Sequence, residues 1–208
     1  MIALKNPLSD VLRWLFSEPK SPSLVDLTAE QLLKIAIHEA GHVTASCVLG
    51  RGRLIIRASM LPYARRSYGM LENRPDPNFM AASSRRDLEN VIAILLAGRA
   101  AEEVVFGSDE VSSGCGKDLR MATEIAEKMV AWWGFGESLG LVSRKLEEVR
   151  TCPDARSDVR RILNERYKAS LSLVETHLAQ VGLIAERLLK EKVVDGDSLR
   201  AYFGSDAT

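Results

Sequence analysis

Apolar and polar residues recur along most of this chain with the period of an α-helix, in blocks separated by clear stop signals. Leu8, Val11, Leu12, Leu15 and Phe16 make a short amphipathic turn or two, and SEPKSPS, residues 17–23, reads as a linker behind it. Such an arm is expected to dock on its own domain or on a covalent neighbour rather than on lipid. Thr28-Ala-Glu-Gln31 is a capping box opening a helix to about Leu49, with Gly50 as its stop. Ser84 caps a second helix, through LENVIAILLAGRAAEEVVF to Phe106, which Gly107 ends. A glycine- and serine-rich loop leads to a third helix over Asp118 to Trp133, stopped by Gly134. Past Pro153 the helical period returns to about Lys192, with Gly182 as the expected break, and a last short helix spans Ser198 to Phe203.

One stretch departs from this period. Arg53 to Met60 is rich in Ile, Leu and Met and short enough for a strand, and Tyr68 to Glu72 is its expected partner across a turn containing Pro62. The pattern therefore predicts a mainly α fold with a small β-sheet, organised as an arm over 1–23 and one domain over 24–208. No internal repeat is visible.

Composition narrows the picture. A length of 208 residues can bury a real core, and a 46% hydrophobic, 27% charged content argues against disorder. Lys+Arg 28 against Asp+Glu 28 removes the basic footprint of a nucleic-acid binder. The longest apolar run, Val91 to Ala97, falls far short of the ~20 residues that span a bilayer. Lys5, Asp10 and Arg13 interrupt any signal-peptide core. Cys47, Cys115 and Cys152 are too few and scattered for a disulfide framework, so a reducing, cytoplasmic setting is expected.

Two of the three histidines lie in His38-Glu39-Ala40-Gly41-His42, an HExxH pattern inside the first helix. Positions i and i+4 sit about 40° apart around a helix, so both imidazoles reach one metal ion. Glu39, about 100° from His38, lies beside that ion without ligating it, where it can take a proton from water. A catalytic zinc needs a third protein ligand and an open fourth position. Glu102 or Glu103, late in the second helix, and Asp118, opening the third, are the candidates, and spacing does not choose among them. Each also has a plainer reading: the glutamates as a helix-end charge or a hydrogen bond to a ligating histidine, Asp118 as an N-cap.

Four blocks taken in order resemble the peptidase domain of the FtsH-type AAA zinc metalloproteases: HEAGH at 38–42, LLAGRAAEEVVFG at 95–107, VSSGCGKDLRMAT at 111–123 and WWGFGESLG at 132–140. The C-terminal DVRRILNERY and LLKEKVVDG segments look like that family's closing helices, so the likeness covers about residues 24–203. The resemblance implies that Zn2+ is held by His38, His42 and Asp118, that Glu39 is the catalytic base, and that Glu102 supports a ligand from behind. Cys115 is a soft thiol that could compete for zinc, although a small packed loop residue is the expected reading. The resemblance also makes Arg53 to Met60 an edge strand that binds extended peptide by its main chain. Here Tyr63-Ala64-Arg65-Arg66 departs from the family's turn, and Arg65 and Arg66 read as solvated charge. Trp132 and Trp133 read as core or subunit-interface residues.

The sequence contains no GxxxxGK[ST] phosphate loop, because Gly116-Lys117 runs into Asp118 and lacks the preceding glycine. The reading is therefore a zinc metalloendopeptidase acting on unfolded polypeptides, coupled to an AAA ATPase in cis or in trans. A fragment or close derivative of a longer protease is favoured. The resemblance further implies a homo-hexamer, cytoplasmic or held at the cytoplasmic face of a membrane through a missing portion. The rival is a metal-containing oligomerisation module whose peptidase site has decayed.

Overall fold

The computed structural model describes residues 27–64, 67–76 and 82–204. The arm over 1–23 and the Arg65-Arg66 pair lie outside them. Helix α1 (Ala29–Val48) starts where Thr28 Oγ1 accepts from the Gln31 N–H at 3.2 Å and Gln31 Oε1 accepts from the Thr28 N–H at 2.9 Å. Helix α2 (Arg85–Phe106) starts on the same device, with Ser84 and Asp87 exchanging bonds, and ends at Gly107 with φ +93°. Both helices lie where the pattern predicts them, because a capping box satisfies the first orphan N–H groups from residues only three apart.

From Ala36 to Cys47 helix α1 is buried without interruption. It crosses α2 on a seam of small residues: a Cβ on Gly41 would lie 2.5 Å from the Ala97 carbonyl oxygen and 2.7 Å from Ala101 Cβ. Glycine there lets two backbones approach closely, and that approach brings Glu102 to His38. One core packs Ala36, Ala40 and Val43 against Ala100, Ile184 and Leu188, the last two on α6 (Leu178–Glu191). A second core on the far side of α2 joins Ile92 and Leu96 to Met129 of α3 (Gly116–Ala131), Val149 of α4 (Leu146–Thr151) and Ile162 of α5 (Pro153–Thr176).

The sheet has three antiparallel strands in the order β2-β1-β3: β1 (Ile55–Ala64), β2 (Ser67–Asn73) and β3 (Val193–Asp195). Three expectations change here. A 3-10 turn over Gly52–Leu54 delays β1 to Ile55. Pro62 lies within β1, opposite Tyr68, in a stretch where the register shifts between Ser59 and Pro62 and again before Ala64; a bulge tolerates the missing N–H. The strand expected to be an edge is the central one, because β3 pairs with it over Arg57 to Ser59. The outer strand on the helix α1 side is β2.

Further along, α3 begins at Gly116, so Asp118 lies in its first turn and does not cap it; the cap position belongs to Cys115, whose side chain makes no capping bond. Helix α3 ends at Ala131, before Trp132. The C-terminal break falls at His177 and not at Gly182, which sits inside α6. A helical glycine costs only about 1 kcal/mol, and burial of Val181, Ile184, Ala185 and Leu188 around it offsets that. The last helix, α7 (Gly196–Arg200), starts earlier than expected because Asp195 caps it, accepting from the Ser198 N–H at 2.9 Å; a 3-10 turn continues it to Phe203.

Candidate metal centre

Helix α1 presents His38 and His42 to the same side, with ring centroids 4.7 Å apart and planes at 78°. Each ring is committed at Nδ1. His42 Nδ1 donates to the Ile94 carbonyl at 2.7 Å, and His38 Nδ1 donates to Glu102 Oε1 at 2.6 Å. A carbonyl can only accept, and so does an ionised carboxylate, so both neutral rings carry their proton on Nδ1 and expose a lone pair at Nε2. Those two Nε2 atoms are 3.0 Å apart, and Asp118 Oδ2 lies 3.3 Å from one and 3.5 Å from the other. Three ligand atoms about 2.1 Å from a common centre in tetrahedral array are about 3.4 Å apart, so this donor set fits a zinc-sized cation. Space for the rings comes from Gly98 on α2, where a Cβ would stand 2.5 Å from His38 Nε2 and 2.6 Å from His42 Nε2.

The surrounding charges favour a cation at that point. Burial opposes charge on Asp118, but hydrogen bonds to His38 and His42 hold its carboxyl well below the usual range. Burial likewise disfavours a charged His38, yet its bonds to Asp118 and Glu102 reverse this and raise it to about 10, so without a metal the ring carries a second proton, at Nε2, which a cation bound there would displace. Glu102 is fully buried; its Oε2 accepts from the Ser112 N–H at 2.6 Å, and its bonds to His38 and Ser112 outweigh burial and keep it ionised. Glu39 moves the other way: burial raises its proton affinity, against the pull of His42 and His38. Its Oε2 is buried without a hydrogen-bond partner among the described residues, an arrangement that is rare without a functional reason.

Of the three residues weighed as a further ligand, only Asp118 reaches the Nε2 atoms. Glu102 lies behind His38, and Glu103 accepts from the Tyr167 hydroxyl at 2.5 Å on another face of α2. Cys115 is buried in the 3-10 turn before α3, its thiol on the Ser112 carbonyl at 3.3 Å and beside Arg99 Nη1 at 3.7 Å, so it packs as a loop residue. Trp133 packs against the second core, while Trp132 is exposed. Three contributors were missed from sequence: the Ile94 carbonyl, the Ser112 N–H and Gly98, whose roles depend on contacts that leave no local pattern.

The centre opens into a cavity of about 620 Å³, walled by Tyr68, Gly69, Met70 and Leu71 of β2 on one side and by Leu95 and Met121 on the other. The strand beside the centre is thus β2.

The chain is similar to several curated proteins. The FtsH ATP-dependent zinc metalloprotease of Lactiplantibacillus plantarum is 33% identical over 187 residues, 81% of this chain and 24% of that protein. That of Thermotoga maritima is 32% identical over 188 residues, 83% of this chain and 30% of that protein. The chloroplastic ATP-dependent zinc metalloprotease FTSH 1 of Arabidopsis thaliana is 26% identical over 217 residues, 96% of this chain and 30% of that protein. The chain therefore spans about a quarter to a third of the length of these relatives. Among the described residues no helix is long and apolar enough to cross a membrane. The model of peptidase family M41 matches residues 26–201, a span that takes in both HExxH histidines, Glu102 and Asp118, and the chain accordingly belongs to that family.

Proposed function

We propose that this chain is a zinc metalloendopeptidase that hydrolyses peptide bonds of unfolded polypeptides, with His38, His42 and Asp118 as metal ligands and Glu39 as the catalytic base. The observation that carries the reading is the convergence of two imidazole lone pairs and a carboxylate oxygen beside a buried carboxylate oxygen that has no partner. Three protein donors with a position left over suit a catalytic rather than a structural zinc. Zinc, when bound, supplies Lewis acidity, which makes water acidic near neutral pH and polarises a carbonyl.

Glu39 takes the proton of the attacking water and hands it to the amine nitrogen of the departing peptide, so one carboxylate serves both transfers. Glu102 holds the His38 ring and its tautomer from behind. The outer strand β2 offers its main chain to an extended substrate across the cavity, a mode that accepts many sequences. The relatives' names, ATP-dependent zinc metalloproteases, support coupling to an AAA ATPase in cis or in trans, and the same reading takes the working assembly to be a homo-hexamer in the cytoplasm. A decayed oligomerisation module has no use for the unpartnered Glu39 oxygen, which argues against that rival.

The zinc-loaded chain is expected to cleave casein or a quenched fluorescent peptide, to lose this on chelation and to regain it with zinc. Glu39→Gln should bind stoichiometric zinc and cleave about 10²–10⁴-fold more slowly. Undiminished turnover by Glu39→Gln, or a zinc-loaded wild type that cleaves neither substrate, sinks the reading.

A further inference from the structure

The wall of the cavity next to the base is Gly69 of β2, buried and in the left-handed region at φ +80°. Its backbone runs so close to Glu39 that a Cβ would lie 2.3 Å from Oε1, 2.9 Å from Cδ and 3.1 Å from Cγ. Ordinary van der Waals contact begins near 3.4 Å, so only a hydrogen fits between strand and carboxylate. The approach has a local cause. Gly69 falls between Tyr68, which pairs with Pro62, and Met70, which pairs with Ser59, and the register shifts across that interval. The extra residue is on β1, where Met60 and Leu61 stand opposite Gly69 alone, so the bulge and its added twist face Gly69 from the partner strand. One side of the Glu39 carboxylate is thereby closed by the strand, while Oε2 is the oxygen left without a partner.

We propose that Gly69 is a positioning residue: the missing side chain lets the outer strand press on the Glu39 carboxylate and hold it in the orientation for proton transfer. The proposal rests on Glu39 as the base. Gly98 differs in kind, since it makes room for the imidazoles, whereas Gly69 restrains the group that moves the proton.

A second left-handed glycine supplies the control. Gly50 has φ +74° and nothing within 4 Å of an added Cβ, so Gly50→Ala carries the backbone strain without the clash. In the full, zinc-loaded chain, Gly69→Ala should keep stoichiometric zinc and lower kcat about a hundredfold, the scale of a 1 Å misplacement. KM should stay within about twofold, and Gly50→Ala should cleave like wild type. In a Glu39→Asp background, where the acid is one methylene shorter, adding Gly69→Ala should cost far less than a hundredfold. A crystal structure of Gly69→Ala should show the Glu39 carboxylate displaced by roughly 1 Å with both imidazoles in place.

A loss no larger than that of Gly50→Ala, a loss equal in the Glu39→Asp background, or an unmoved Glu39 overturns the proposal. If Gly69→Ala proves too unstable to purify, combining it with Glu39→Asp should restore a folded protein, and failure there also overturns it. A wild-type chain that cleaves nothing removes the proposed function, while the crystallographic result still decides whether Gly69 sets the position of Glu39.

Discussion

Among the carboxylates buried in the described residues, Asp158 and Glu39 are treated in opposite ways. Asp158, on α5 in the second core, has its acceptors occupied: Oδ2 receives the Ser138 N–H at 2.8 Å and the Ser138 hydroxyl at 2.5 Å, and Oδ1 receives Arg161 Nη2 at 3.2 Å. Gly136 closes over it, with room for no side chain, since a Cβ there would stand 2.8 Å from Oδ2. Burial pushes Asp158 up, but Ser138 and Arg161 hold it below the usual carboxylate range. Glu39, in the first core, keeps one oxygen unpartnered and has its proton affinity raised. Asp158 fastens the loop after α3 to α5, which is structural work and calls for saturation. An unsaturated buried carboxylate costs stability, and it is retained where the missing partner is a reactant.

The comparison breaks most visibly at the metal. Asp118→Ala is expected to weaken zinc binding by more than about a hundredfold in a chelator competition, because it removes a donor and not merely its support. If Asp118→Ala stays fully loaded while Glu102→Ala loses the metal, the ligand assignment is reversed. Glu102→Gln keeps a side chain behind His38 but weakens the bond to its Nδ1, and should reduce zinc affinity about 10–100-fold.

Asp158→Ala tests the other side. It strands the Ser138 and Arg161 donors, so denaturant unfolding should show about 2–3 kcal/mol less stability with zinc affinity unchanged. A matching loss of zinc affinity would show that the two regions are not independent.

A pH series of the metal-free chain sharpens the point. Since the folded-state pKa of Asp158 is depressed, its contribution is complete above the unfolded value of about 3.9 and is lost as pH falls through the lower folded value. Asp158→Asn should therefore lose stability relative to wild type at neutral pH, with the gap closing below about pH 4. The smallest change is expected from Glu39→Gln, whose melting temperature should equal or exceed that of wild type, because an amide is cheaper to bury than an unpaired carboxylate. Marked destabilisation would mean that Glu39 is as structural as Asp158.

Legibility followed range. The ends of α1 and α2 were readable because a capping box joins residues three apart and a left-handed glycine acts at its own position. The side shared by His38 and His42 was readable because a helix places i and i+4 together. The edge strand was misassigned because β3 and β1 are separated by most of the chain, and a three-residue strand carries no periodicity of its own. Gly182 looked like a break because local propensity favours one there, and tertiary burial of its neighbours overrode it.

By itself, then, the sequence determined a mainly α domain whose first long helix carries two histidines and a glutamate aligned for a metal. Spacing left open which carboxylate meets them and the family resemblance pointed to Asp118; the contacts themselves come from the tertiary structure, in which Glu102 and Asp118 reach His38 across 64 and 80 residues of chain. It also decided that β2, and Gly69 within it, stands against Glu39. The physical reason is that caps and helical spacing act within a turn, whereas the close approach of α1 to α2 at Gly41 and of β2 to Glu39 exists only after distant segments have packed.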